Sequence, residues 1–148
     1  MVSLFEMMAE FEGVAGRLAA RRMSDQERET LTEKYKTCEF YARRGDRENY
    51  HLANNAFHVT IYEGSHNHYL IAHASSLYER LAPYRLYELN RAGELMRMHD
   101  EHGRITEAIV QRDGELAYRL LKEHTSLDSD LLGDLMATLG DSRASFST

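Results

Sequence analysis

Arg47-Glu48-Asn49-Tyr50-His51-Leu52-Ala53-Asn54-Asn55-Ala56-Phe57-His58-Val59-Thr60-Ile61-Tyr62-Glu63 is the stretch on which the fold turns. Tyr50, Asn54, Phe57, His58 and Ile61 recur at spacings of three and four, the period of one face of an α-helix. Gly45-Asp46 before it and Gly64-Ser65 after it are turn signals, so the helix is expected over about Arg47 to Glu63. Its inner face carries an amide and an imidazole one turn apart among apolar side chains.

The same period runs through the rest of the chain. Leu4, Met8, Phe11, Ala15 and Leu18 mark a first helix over Ser3 to Arg22, with Ser3 and Glu6 spaced as a capping box. Ser24 and Glu27 repeat that signal and open a second helix to about Arg44. A fourth is expected over Asn67 to Asn90, with Leu70, Ala74, Leu77, Tyr78 and Leu81 inward. Pro83 lies inside it and is expected to bend or interrupt it, because proline lacks the N–H and clashes with the preceding turn. Arg91-Ala92-Gly93 reads as a loop. A fifth helix follows over Glu94 to Arg112, with His102, Ile105 and Ile109 on one face. After the turn at Asp113-Gly114, a sixth is expected over Glu115 to Leu139, with Ala117, Leu120, Leu121 and His124 inward. Gly140 to Thr148 is Ser-rich and aperiodic, a flexible tail by expectation. There is no internal repeat. The expected fold is an all-α antiparallel bundle of about six helices.

Composition narrows the function. A single proline among 148 residues argues against a many-turned β-sandwich. No run of about 18 apolar residues is present to span a membrane, and the N-terminus lacks the basic and apolar pattern of a secretory signal, so a cytoplasmic protein is expected. The net charge of −6, without a dense Lys/Arg patch, makes the chain a poor nucleic-acid binder by itself. The lone Cys38 permits no internal disulfide and reads as a small residue in or beside the core.

All eight histidines lie between His51 and His124. His58, His102 and His124 fall on the apolar faces of three different helices, and Asn54 precedes His58 by one turn. His66 and His68 lie at a loop or helix start, His73 and His99 at stripe edges, and His51 one turn before Asn54 or Asn55. If the three helices are neighbours, three imidazoles and an amide oxygen suit a divalent first-row metal with positions open to water or ligand. The other reading of the same pattern is three core histidines, each bonded to a carbonyl or hydroxyl. Tyr50, Tyr62, Tyr78, Tyr84 and Tyr87 supply polar-tipped rings suited either to a pocket wall or to a core edge.

Asn54-Asn55-Ala56-Phe57-His58 resembles the D-x-x-F-H motif of the FadR C-terminal (FCD) domain, the effector-binding module of a branch of GntR-type bacterial transcription regulators. The resemblance continues in Ser65-His66-Asn67-His68-Tyr69-Leu70, in Glu101-His102 with Ala108-Ile109 and Asp113, and in Ala117, Leu121 and His124. Leu4-Phe5-Glu6-Met7, Glu12 and Arg17-Leu18-Ala19-Ala20 match the opening, so the likeness covers about Ser3 to Met136. It implies a helical bundle holding a small effector, often a carboxylate, in a central cavity. It also implies a divalent metal there, zinc first and nickel or manganese after it, on Asn54, His58, His102 and His124. Arg80, Arg85, Tyr62 and Tyr84 are the candidate effector contacts. The layout it implies is an effector-binding and dimerisation domain over 3–139 and a tail over 140–148. By the same resemblance, the winged helix-turn-helix that would read DNA is expected to lie outside this chain.

Two positions depart from the family pattern. Asn54 stands where the family usually has Asp, so four neutral ligands would leave the metal's double charge uncompensated. The metal would be held more weakly and would pull harder on an anion. Met8 stands where many members carry an effector-gripping Arg. The expected activity is sensing, not catalysis. The rival readings are a metal-dependent hydrolase and a ligand-free dimerisation module. A hydrolase needs a general base, and Glu101 and Glu123, each one residue from a candidate ligand, point about 100° away on their helices. Di-iron chemistry needs Glu-x-x-His on two helices. Only Glu63-Gly64-Ser65-His66 has that spacing, and Gly64-Ser65 breaks the helix there.

Overall fold

The computed structural model describes residues 2–126 and Ala137. Among them are six helices: α1 (Val2–Arg22), α2 (Asp25–Arg43), α3 (Arg47–Gly64), α4 (His68–Leu89), α5 (Glu94–Val110) and α6 (Gly114–Thr125). The described residues contain no strand, so the expected all-α class stands.

Local chemistry sets most of the boundaries. Ser24 and Glu27 form the full capping box that starts α2, each side chain bonding the other's backbone N–H. Asp46, Asn67 and Asp113 accept from the backbone N–H three residues on and start α3, α4 and α6. Gly45 and Gly93 occupy the left-handed region, φ 64° and 81°, and turn the chain between α2 and α3 and into α5.

Three expectations are corrected. Ser3 is already helical, so the first helix starts at Val2 and Ser3 is not its cap. Pro83 does not interrupt α4, which runs continuously through it. Pro83 itself is exposed, and water can bond the carbonyl its ring leaves free. The sixth helix stops at Thr125, because Ser126 is extended (ψ 131°) and its side chain turns back to the Lys122 carbonyl. Apart from Ala137, the rest of the expected helix and the tail over 140–148 lie outside the described residues.

α1 is the hub of the bundle, touching α3, α4, α5 and α6. Gly13 and Gly16 let it approach α6 closely: a Cβ at Gly13 would lie 2.7 Å from the Tyr118 ring, and one at Gly16 2.2 Å from the Leu121 side chain. Met8, Tyr50, Phe57, Ile61, Tyr62, Leu81, Ile105, Ile109 and Leu121 fill the interior, and Cys38 is fully buried with them. Three inward faces, from α3, α5 and α6, therefore meet against α1.

Candidate metal centre

His58 from α3, His102 from α5 and His124 from α6 come together in this interior. One ring nitrogen from each lies within 4.8 Å of the others. Their ring centroids are 5.4 Å (His58–His102), 5.6 Å (His58–His124) and 4.9 Å (His102–His124) apart. His58 and His102 have no exposed surface, and the His124 side chain is 4% exposed.

Each imidazole is held by its Nδ1. His58 Nδ1 donates to Glu12 Oε2 at 3.0 Å, and since a carboxylate only accepts, the proton sits on Nδ1. His124 Nδ1 donates likewise to Glu101 Oε2. The Tyr50 hydroxyl stands 3.3 Å from His102 Nδ1, with its ring stacked near the imidazole. What is left is informative: Nε2 of His58 and of His102 are buried with no hydrogen-bond partner among the described residues. Asn54 adds a third such atom. Its Nδ2 donates to the Tyr78 hydroxyl at 3.0 Å, which fixes the amide, and its Oδ1 is buried and unpartnered.

Buried polar atoms are nearly always paired, and a cluster that is not calls for an explanation. Core histidines bonded to carbonyls or hydroxyls through both nitrogens would leave no such cluster. The arrangement fits a divalent cation: three ring nitrogens converge, an unpartnered amide oxygen lies one turn before His58 on the same helix, and a carboxylate or hydroxyl behind each ring fixes the tautomer and orientation. Burial holds His102 well below the ordinary histidine range, with the neighbouring His124 and His58 adding to it. Burial also lowers His58 despite the pull of Glu12. The neutral imidazole is the ligating form. Burial pushes Glu12 and Glu101 up, but His58, Arg85 and Tyr62 around the one, and His124 and Arg97 around the other, outweigh it and hold both below the usual carboxylate range.

The candidate effector contacts separate in space. Arg85 is buried, with its guanidinium over the Tyr78 ring at 4.2 Å. Tyr62 is buried and its hydroxyl donates to Glu12 Oε1. Tyr84 is half-buried, edge-on to Phe5 at 6.0 Å, and Arg80 is exposed on the outer face of α4. A pocket of about 70 Å³ lined by Glu101, Arg104, Leu120, Glu123 and His124 reaches the cluster from the α5–α6 side. Glu101 serves as the partner of His124, so it is not free to act as a base on water.

Sequence reasoning missed Glu12 as a support of the site and named Tyr50 and Tyr78 only as rings suited to a pocket wall or a core edge. Glu12 left a signal: it follows Met8 by four and precedes Ala15 by three, a charge set in the apolar stripe of α1.

The chain is 26% identical over 147 residues to the HTH-type transcriptional repressor GlaR of Escherichia coli (strain K12), spanning 93% of this chain and 66% of that protein. It shares its fold with E. coli McbR/YncC at a TM-score of 0.74 and 22% identity, over 95% of this chain and 67% of that one. The chain thus spans about two thirds of the length of either relative. The FCD domain matches residues 3–127, a range that takes in α1 from Ser3, the other five helices and all three histidines, and the chain belongs to that family.

Proposed function

We propose that this domain is the ligand-sensing part of a GntR-type transcription regulator. In this reading it binds a small organic acid at a divalent metal in the centre of the bundle. Asn54, His58, His102 and His124 would hold the metal, zinc being the first choice for three imidazoles and an oxygen. When bound, the metal would offer open positions with a high positive charge to an anionic oxygen. Around it this chain's residues orient and enclose: Glu12, Tyr50 and Glu101 hold the three rings, and Tyr78 holds the Asn54 amide. Tyr62 and Arg85 stand on the α3 and α4 sides of the same centre, so of the four candidate effector contacts they are the two that the reading retains.

The observation that carries the proposal is the convergence of one ring nitrogen from each of His58, His102 and His124 within 4.8 Å, with His58 Nε2, His102 Nε2 and Asn54 Oδ1 buried and unpartnered. The wider roles rest on the relatives: an FCD family member that resembles a transcriptional repressor is read as a sensor, with DNA bound by a helix-turn-helix domain elsewhere in its protein and the domain acting as a homodimer. Acid binding would shift the balance between two states of differing affinity, and DNA binding would follow.

Elemental analysis of the purified chain, followed by a thermal-shift screen of carboxylates with and without chelator, tests this. The expected result is about one equivalent of a divalent metal and a rise in melting temperature with an acid that chelator abolishes. A metal-free protein indifferent to added zinc and to every acid would leave a dimerisation module instead.

A further inference from the structure

We infer that the effector is a two-headed acid, one carboxylate going to the metal centre and the second to Arg85. This rests on the reading that a metal at Asn54, His58, His102 and His124 takes a small acid, and it adds which acid.

Arg85 is 7% exposed, and its Nε and Nη2 are buried with no acceptor among the described residues. Those two N–H groups point the same way along one edge of the guanidinium, the edge that matches the two oxygens of a carboxylate. The face of the ion rests on Tyr78 at 4.2 Å, which steadies the charge but offers the N–H edge no lone pair. The carboxylates whose charge it feels are already engaged. Glu12 is bonded through both oxygens, to His58 and to Tyr62, and Glu88 pairs with Arg97 at 3.1 Å. A guanidinium buried without an acceptor is costly, so the fork is a receptor whose anion comes from outside the chain.

A second buried atom without a partner belongs to an imidazole that feels the same charge. His51 Nδ1 is buried without a partner on α3, and the imidazole feels the Arg85 charge, which adds to the effect of burial in keeping it neutral.

This receptor is not the metal centre, but it is close to it. Tyr78 is the common neighbour: its ring lies 4.2 Å from the Arg85 guanidinium and 5.2 Å from the His58 ring. The Arg85 guanidinium is therefore no farther from the His58 ring than those two distances laid end to end, within the reach of one small molecule. A carboxylate filling the fork uses both of its oxygens there. The neutral ligand set, with Asn54 in place of an acid, leaves the metal to attract another. Two anion receptors at this spacing select an acid with a carboxylate at each end.

The test is calorimetric titration of the zinc-loaded 148-residue chain with butanedioate, pentanedioate and hexanedioate against butanoate, pentanoate and hexanoate. At least one diacid should bind about tenfold or more tightly than the monoacid of equal length, the scale of one charge-assisted bidentate contact. Arg85→Met should bring that diacid down to the monoacid level while zinc content stays unchanged. Arg85→Lys, which keeps the charge and loses the fork, should restore only part of the difference. Monoacids that match their diacids, or an Arg85→Met chain with full zinc that weakens both series equally, would overturn the inference. A chain that takes up no zinc, or that binds no acid of either series, marks instead the failure of the metal-sensor reading beneath it.

Discussion

His58 Nδ1 donates to Glu12 Oε2 across 3.0 Å at the centre of the bundle, and neither side chain has any exposed surface. The pair joins α3 to α1 and turns the other face of the imidazole toward His102 and His124. A carboxylate behind a ligating histidine fixes its tautomer and raises its basicity.

Glu12→Gln should therefore weaken zinc binding about 10–100-fold, the usual cost of losing such a partner. Glutamine can still accept from Nδ1 but brings no charge. Competition with a chelating dye measures the affinity, and an unchanged constant would reduce Glu12 to a packing role.

Asn54→Asp places a charge among the ligands where the amide now offers only a dipole. Zinc should be held more tightly, and the acid effector more weakly, because the ligand carboxylate offsets the charge that attracts it. Metal content after dialysis and titration with the acid read the two effects. If neither moves, Asn54 lies outside the coordination sphere.

The metal-free protein should lose stability on mild acidification. Burial lowers His51, His58, His99 and His102 below the ordinary histidine range, so the folded state takes up fewer protons than the unfolded chain once the pH passes below about 6.5. The contribution is complete above that pH and is lost as the pH falls from there through the lower folded values. Urea midpoints of chelator-treated protein at pH 7.5 and 5.5 test the sign, and a higher midpoint at 5.5 would contradict it.

Gly13→Ala should destabilise by about 1–2 kcal/mol, overpacking outweighing the gain in helix propensity. The added methyl would meet the Tyr118 ring at 2.7 Å, with the Tyr118 carbonyl behind it at 3.2 Å. Thermal unfolding of the variant against the parent chain gives the shift.

Cys38 should resist thiol reagents at neutral pH. It is fully buried, and burial pushes its thiol up to about 12. The thiolate is the reactive form, so labelling should appear only on unfolding. Fast alkylation of the native protein would show that α2 opens.

The spacing of apolar residues was enough to place the helices, because burial of one face imposes a period of three to four on any sequence that folds this way. It also selected Asn54, His58, His102 and His124, since a polar residue inside an apolar stripe is visible as a break in the pattern. Ser24, Asp46, Asn67 and Asp113 were legible as starts for the same local reason: a cap bonds a backbone N–H three residues away. Pro83 was expected to bend or interrupt α4 and does not interrupt it, because the cost of a helical proline depends on whether its freed carbonyl meets water or a packed neighbour, and that is not a property of the sequence around it.

What only the tertiary structure decided is pairing. Glu12 and His58 are 46 residues apart, Tyr50 and His102 are 52 apart, and no period links them. The sequence offered Arg80 and Arg85 as equals, yet one is exposed on the outer face of α4 and the other is buried over Tyr78. Along a helix, residues five apart differ by more than a quarter-turn, and the neighbours of α4 determine which of them meets the core. The inward faces were written in the chain, but which nitrogen stays free when those faces close on one another depends on the partner each side chain meets across the bundle.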